Sequence, residues 1–154
     1  TGWRIGYVGA PNWIAKACTK MQGQITSGTN CIAKRATIAA LDESVNEIQY
    51  MVDEFKERRK LIIDLLSQVK GIKLNQPMGA FYVFPDISYF FGKTIKGKKI
   101  ENASDFAIFL LEKSHVATVT GDAFGSPNNI RISYAASQEQ IKKAINRIKK
   151  AIEG

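Results

Sequence analysis

The sequence predicts an α/β or α+β layered fold, in which helices pack on one small β-sheet. Short apolar runs typical of strands alternate with segments in which apolar residues recur at helical spacing. One helical segment is about seven turns long and has a single apolar stripe, and the last segment is strongly amphipathic. Each of these elements has one apolar face, and packing in layers buries such faces.

The first 44 residues predict one strand and two helices. The run Trp-Arg-Ile-Gly-Tyr-Val-Gly at residues 3–9 is typical of a buried strand broken by glycines. Pro11 and Asn12 then start a helix whose apolar residues recur at helical spacing as far as Gly23. A polar stretch separates this helix from a second, alanine-rich helix over residues 31–41.

The longest predicted helix follows, and it sets the predicted domain boundary near Ser44. Its apolar stripe runs from Ile48 to Val69, charged residues occupy its other face, and Gly71 supplies a helix stop. A helix of this length often bridges two domains. We therefore predict a first domain at residues 1–44 and a second at residues 45–154.

The second predicted domain alternates strands with helices. The predicted strands cover residues 72–74, 80–84, 116–120 and 129–134, and the predicted helices cover residues 104–114 and 137–152. Ser137 and Gln140 have the spacing of a capping box at the start of the last helix. Residues 89–102 are rich in lysine and show no periodicity, so we predict a long basic loop there.

Charge and cysteine content limit the class of protein. The net charge is +8, but the lysines are spread over several segments and mixed with acids, which favours a solvated surface over nucleic-acid binding. The sequence contains no run of about 18 apolar residues that could cross a bilayer, and its first residues lack the pattern of a secretory signal. Cys18 and Cys31 are too few for a disulfide framework and lack metal-knuckle spacing. We expect reduced cysteines that pack between helices, a cytoplasmic protein without membrane association, and no metal site.

Four stretches, taken together, carry a resemblance to a known family: TGWRIGYVGAP (1–11), GAFYVFPDIS (79–88), VATVTGDAFG (116–125) and NNIRISYAAS (128–137). In this order and spacing they resemble the C-terminal part of the class I pyridoxal-phosphate aminotransferases, the aspartate aminotransferase-like group of fold type I. The resemblance covers essentially the whole chain and implies pyridoxal 5′-phosphate as cofactor. It also implies that residues 1–44 are the end of a large cofactor-binding domain, with apolar faces left exposed, and that residues 45–154 are the small domain.

Arg4 is the candidate cofactor-binding residue. Judged from the sequence alone, an arginine in an apolar strand either reaches solvent or meets an anion, because its charge is costly to bury unpaired. The resemblance implies the second alternative, since the arginine of the TGWR stretch binds the cofactor phosphate in this family. A guanidinium suits that role because it donates two hydrogen bonds to a phosphate and stays charged.

Arg131 is the candidate substrate-binding residue. It lies in a predicted strand between two isoleucines, just after the glycine-containing stretch GDAFGSPNN, which is typical of a pocket rim. An edge-strand arginine paired with a nearby acid is the structural alternative. The resemblance implies instead that Arg131 binds the substrate α-carboxylate, a bidentate task for which lysine is a poor substitute.

The resemblance places no catalytic residue within the chain. In the family, the lysine that forms the Schiff base with the cofactor precedes the phosphate-binding arginine by more residues than precede Arg4 here. Transamination needs that amine to hold the cofactor and move a proton. We therefore expect the chain alone to be inactive.

The implied substrates are an amino acid, with aspartate as one candidate, and a 2-oxo acid; the implied assembly is a homodimer of the intact protein. Two alternatives remain: a pyridoxal-phosphate-dependent carbon–sulfur lyase on the same scaffold, and a basic nucleic-acid-binding module that uses the lysines of residues 96–99 and 142–150.

We expect Phe81 and Tyr82 to pack in the core, with substrate contact as the alternative. His115 is expected to end a helix or start a strand.

Overall fold

The computed structural model of the chain describes residues 2–153, which form two compact units divided between Gln49 and Tyr50. The first unit contains helices, and the second combines a small antiparallel sheet with three α-helices. This mixture of helices and a small sheet agrees with the predicted fold class. The assignment of residues 1–44 and 45–154 to two domains of a larger protein stays a prediction.

The first unit contains two α-helices, α1 (Asn12–Thr26) and α2 (Cys31–Asp42), and a 3-10 helix at Val45–Ile48. Helix α2 begins at a side-chain cap, because Asn30 Oδ1 accepts a hydrogen bond from the backbone N–H of Ala33 at 3.0 Å. Both helices predicted from the sequence are therefore present, and each extends slightly beyond its predicted end.

The strand predicted at residues 3–9 does not form. Residues 4–11 have no regular secondary structure, and none of the residues in the range 2–153 pairs with them as a strand. Most of their side chains are exposed. The prediction was wrong because an apolar pattern alone does not make a strand: the backbone also needs a hydrogen-bonded neighbour.

The first unit exposes much of its apolar surface. Trp13 is 74% exposed and Tyr7 is 82% exposed, and Ala33 is the one buried residue among residues 2–49. The other large exposed apolar side chains of residues 2–44 are Trp3, Val8, Met21, Ile25, Ile32, Ile38 and Leu41. This exposure agrees with the expectation for residues 1–44. Cys18 and Cys31 are also exposed and unpaired, so the prediction that they pack between helices was wrong: helices α1 and α2 bury almost no side chains among residues 2–49.

The second unit is built on a three-stranded sheet whose strand order is β1-β5-β4. In chain order, its elements are α3 (Gln49–Ser67), β1 (Tyr82–Val83), β2 (Lys93–Ile95), β3 (Lys98–Ile100), α4 (Ala103–Ser114), β4 (Val119–Thr120), β5 (Ile130–Ser133) and α5 (Gln138–Glu153). Strand β5 is central and antiparallel to both neighbours, with Val83 opposite Ile132 and Val119 opposite Arg131. An isolated bridge between Lys73 and Asp86 replaces the strand predicted at residues 72–74.

The core of the second unit lies between the sheet and the helices. Alternation along β5 buries Ile130 and Ile132 and leaves Arg131 half-buried. Stacked rings join α4 to the segment after β1, with the centroids of Phe90 and Phe106 4.9 Å apart. Helices α3 and α5 contribute the buried side chains Ile62, Leu66, Ile141, Ile145, Ile148 and Ala151. The predicted amphipathic stripe of α5 is thus confirmed.

Within residues 89–102, where a loop was predicted, residues 93–100 form a β-hairpin. Strands β2 and β3 pair Lys93 with Ile100 and Ile95 with Lys98. The two turn residues, Lys96 and Gly97, have φ values of 47° and 81°, which are typical of a tight hairpin turn. Ile95 and Ile100 are buried. The prediction was wrong because it relied on the high lysine content. It gave too little weight to the two isoleucines that flank a Lys-Gly turn and become buried.

Removing the cap of helix α5 is expected to lower stability by about 1 kcal/mol. The Ser137 Oγ accepts a hydrogen bond from the backbone N–H of Gln140 at 3.2 Å, as the capping pattern predicts. The variant Ser137→Ala leaves that N–H without its partner. Urea unfolding of the chain measures the effect, and Ser104→Ala, an exposed position in the first turn of α4, is the matched control. Equal midpoints for the two variants would contradict the capping role.

Candidate functional site

The second unit places one cation against two aromatic rings at the sheet. The guanidinium carbon of Arg131 lies 4.4 Å from the ring centroid of Tyr82 and 4.5 Å from that of Phe124. Both distances are within the range of a cation–π contact. Three residues distant in sequence are thus brought together.

The sheet register brings Tyr82 and Arg131 together. Tyr82 on β1 is paired with Ser133 on β5, two residues beyond Arg131, so the two side chains are diagonal neighbours. The Tyr134 hydroxyl also donates to the carbonyl of Ala80 at 2.9 Å, which fixes the backbone just before β1. Burial raises the pKa of Tyr134 above its ordinary value, so the hydroxyl stays protonated and keeps donating.

Phe124 reaches Arg131 because the loop after β4 is closed by its own hydrogen bonds. The Gly121 N–H donates to the backbone carbonyl of Asn129 at 2.7 Å, and the carbonyl of Gly121 accepts from the backbone N–H of Ser126 at 3.0 Å. Gly121 is buried, and a Cβ at this position would overlap the backbone carbonyl of Ser126. Only glycine therefore allows this compact turn, which presents Phe124 to the arginine.

Arg131 has no acidic partner among residues 2–153. No hydrogen bond or ion pair joins its guanidinium to a described carboxylate. A cation–π contact uses the ring face and requires no hydrogen-bond acceptor, so the N–H donors of Arg131 remain available. The edge-strand alternative, in which a nearby acid pairs with Arg131, is therefore not what the described residues show.

Arg4 lies in the first unit, and its backbone has an unusual conformation. Its φ value is 50°, in the left-handed region that costs a residue with a Cβ about 1–2 kcal/mol. Such strained residues are concentrated at functional sites. The side chain is exposed and forms no ion pair with any residue of the described range 2–153.

Two cavities of the first unit share Arg4 in their walls. One, of about 520 Å³, is lined on its other side by α2 residues such as Thr37 and Leu41. The other, of about 600 Å³, is lined by the loop between α1 and α2, including Ser27, Gly28 and Thr29. No aspartate or glutamate lines the second cavity. A lining that contains an arginine and several hydroxyl-bearing residues, with no acid, is a donor set that fits a phosphate group.

The structure gives several other residues singled out in the sequence a structural role. His115 is the C-cap of α4, with a φ of 53° and its N–H bonded to the carbonyl of Leu111 at 3.1 Å, as expected. Phe81 packs against Phe55, with ring centroids 6.1 Å apart. Tyr82 differs from the expectation of core packing, because it contacts Arg131. Within residues 2–153, no group of His, Cys, Asp and Glu side chains is arranged to hold a metal ion.

Phe124 is a site residue that the sequence did not predict. The stretch GDAFG was interpreted as a pocket rim, but nothing in the sequence indicates which of its side chains faces β5. The spacing of the glycines on either side of Phe124 was the available signal.

None of the helices in the described part of the chain has the length and apolar character needed to span a membrane.

The chain is similar to known aminotransferases over almost its whole length. The sequence model of the family described as "Aminotransferase class I and II" matches residues 1–148. The chain is 42% identical over 156 aligned residues to "Bifunctional aspartate aminotransferase and glutamate/aspartate-prephenate aminotransferase" of Petunia hybrida, covering 99% of the chain and 33% of that protein. It is 46% identical over 151 residues to "Probable aspartate/prephenate aminotransferase" of Rhizobium leguminosarum bv. phaseoli, covering 97% of the chain and 38% of that protein.

Solved structures give the same result. The crystal structure of the aspartate aminotransferase from Rhizobium meliloti matches with a TM-score of 0.88 and 38% identity, over 99% of this chain and 38% of that one. The chain therefore spans about a third of the length of the relatives it matches. Both the sequence and the structure comparisons confirm the resemblance predicted from the four stretches. The chain belongs to the aminotransferase class I and II family.

Proposed function

We propose that the protein containing this chain is a pyridoxal-phosphate-dependent aminotransferase that moves an amino group between an amino acid and a 2-oxo acid. Family membership supports the proposal. Because the names of the relatives include aspartate aminotransferases, we propose aspartate as the first amino acid to test. The observation that carries the proposal is Arg131, a cation with no described acidic partner held by two aromatic rings on the central strand.

Arg131 binds the substrate α-carboxylate in this proposal. Its planar guanidinium matches the two oxygens of a carboxylate and holds them by two parallel N–H donors. The contacts with Tyr82 and Phe124 restrict the side chain before substrate arrives, which lowers the entropy cost of binding. A fixed carboxylate also fixes the position of the adjacent α-carbon, where the proton is removed.

Arg4 binds the cofactor phosphate in this proposal. It lies beside an acid-free cavity lined by Ser27 and Thr29, whose hydroxyl groups can donate to phosphate oxygens. When bound, the cofactor supplies the electron sink for the reaction at the α-carbon. The lysine expected to move the proton is not assigned to any residue of this chain, so we propose that Arg4 and Arg131 bind and orient while the rest of the protein supplies the base.

We also propose a domain organisation and an assembly for the intact protein. We propose that residues 1–44 belong to the large cofactor-binding domain and residues 45–154 to the small domain, and that the intact protein is a homodimer in the cytoplasm. The exposed apolar side chains of residues 2–44 support a covering partner for this segment. The two unpaired cysteines support a reducing location. Sedimentation of the intact protein tests the dimer.

Assays of the intact protein with two substrate sets separate the proposed reaction from its alternatives. With aspartate and 2-oxoglutarate, the proposal predicts glutamate formation. With cystathionine, it predicts no pyruvate release; a lyase would give the opposite pair of results. The comparisons favour the aminotransferase over the lyase and over a nucleic-acid-binding module. Titration with duplex DNA at two salt concentrations tests the latter, which requires a steep salt dependence.

Removing one aromatic contact of Arg131 is expected to weaken substrate binding moderately. A cation–π contact contributes about 0.5–2 kcal/mol, so Phe124→Leu should raise the KM for the amino acid roughly 2- to 30-fold. Steady-state kinetics of the intact protein measure this change. Tyr50→Leu, which removes an aromatic ring that is 73% exposed, is the control. An unchanged KM in Phe124→Leu would show that the ring does not hold the arginine for substrate.

A further inference from the structure

A cavity of the second unit combines apolar walls with a cluster of basic side chains. It measures about 260 Å³ and lies between the segment after α4 and helix α5. Its apolar walls include Ile132, Ile141 and Ile145, while His115, Lys143 and Arg147 line it with nitrogen groups. Arg131, the proposed substrate-binding residue, does not line this cavity.

The basic groups at this cavity have no counter-ion within the described part of the chain. No aspartate or glutamate lines the cavity, and no described acid forms an ion pair with Lys143 or Arg147. These two residues are four apart on α5, so their charges are neighbours on one helix face. Like charges at this spacing repel each other and destabilise a helix. An anion placed between them would relieve that repulsion.

His115 adds a third nitrogen-bearing side chain to the lining. It ends α4 in the left-handed conformation, with a φ of 53°. The Gln140 side chain, three residues before Lys143 on the same face of α5, also lines the cavity. The cavity therefore combines apolar walls with a few polar donors, as small-molecule sites generally do.

From these observations we propose that this cavity is a binding site for a small carboxylate with an apolar body. The isoleucine walls exclude a fully hydrated inorganic anion as the best occupant, because such an ion would leave the apolar surface unmatched. The volume is just below the roughly 300–1,000 Å³ of cavities for drug-sized ligands, so the occupant is small. The apolar body packs on the isoleucines, and the carboxylate meets Lys143 and Arg147. The proposal does not depend on transamination.

His115 makes the site directly observable, because it is the only histidine of the chain. The Hε1 proton of its imidazole is therefore expected to give one histidine Hε1 signal in the NMR spectrum of the 154-residue chain. The probe is benzoate, added at constant pH, and benzamide is the neutral comparator of the same shape. We expect a saturable shift with benzoate and at least about tenfold weaker binding of benzamide, because only benzoate offers a charged acceptor.

Two variants locate the binding. Lys143 and Arg147 are exposed, so the double variant Lys143→Gln, Arg147→Gln leaves the core intact and is expected to weaken benzoate binding at least about tenfold. Lys142→Gln removes the same type of charge from an exposed position that does not line the cavity, and it should bind like the unaltered chain. A shift that does not saturate, equal binding of benzamide, or equal weakening by Lys142→Gln would overturn the proposal.

Discussion

Replacing Arg131 with glutamine is expected to lower kcat/KM for the amino acid about 10²- to 10⁴-fold. Two hydrogen bonds to a charged carboxylate are lost, and each contributes about 1.5–3 kcal/mol, while about 1.4 kcal/mol corresponds to a factor of ten. The carboxylate is bound before and during the reaction, so much of the loss should appear in KM. Steady-state kinetics of the intact protein with the amino acid varied measure it.

Arg131→Lys distinguishes shape from charge at this position. Lysine keeps the positive charge but offers a point charge instead of a planar pair of donors, so we expect an intermediate loss. Arg35→Gln is the control for both variants, because Arg35 is an exposed arginine on helix α2. If Arg131→Gln stayed within about threefold of the unaltered protein, Arg131 would have to be given a structural role.

Replacing Arg4 with glutamine is expected to weaken binding of pyridoxal phosphate about 10²-fold or more. The reason is the loss of charge-assisted hydrogen bonds to a phosphate, which are about twice as strong as neutral ones. Pyridoxal, which lacks the phosphate, should bind equally to both proteins. Absorbance titrations of the intact cofactor-free protein with each compound measure the two affinities.

Comparing pyridoxal with its phosphate distinguishes a lost phosphate contact from a general disturbance of the loop. Arg4 has a φ of 50°, and glutamine at this position meets the same backbone constraint, so the substitution changes the charge without adding a new demand on the backbone. Arg35→Gln again controls for net charge. Equal loss of affinity for pyridoxal and its phosphate would contradict phosphate binding and indicate a disturbed loop.

Where the local pattern decides structure, the sequence predicted it well. Helix α5 has its apolar residues at helical spacing, and Ser137 caps it as the capping pattern predicts. Helices α1, α2 and α4 lie where periodicity places them. The long predicted helix begins at Gln49 as α3, after a short 3-10 helix at Val45–Ile48. The family resemblance also needed only the sequence, because it depends on the order of four stretches.

Strands that depend on pairing with another segment of the chain were predicted poorly. Residues 3–9 have the composition of a strand, yet they lack a pairing strand within residues 2–153 and stay irregular. Residues 93–100 have the composition of a loop, yet two buried isoleucines and a tight turn make them a hairpin. In both segments, long-range pairing overrode composition.

The sequence by itself determined the family, the helices and the two arginines to be tested. Each of these depends on short stretches of residues that are close together along the chain. Only the tertiary structure decided that Tyr82 and Phe124 contact Arg131, and that His115, Lys143 and Arg147 line one cavity. These groupings depend on the register of antiparallel strands and on the packing of α5 beside the end of α4. Register and packing are set by contacts between residues far apart in the chain, which no local pattern specifies.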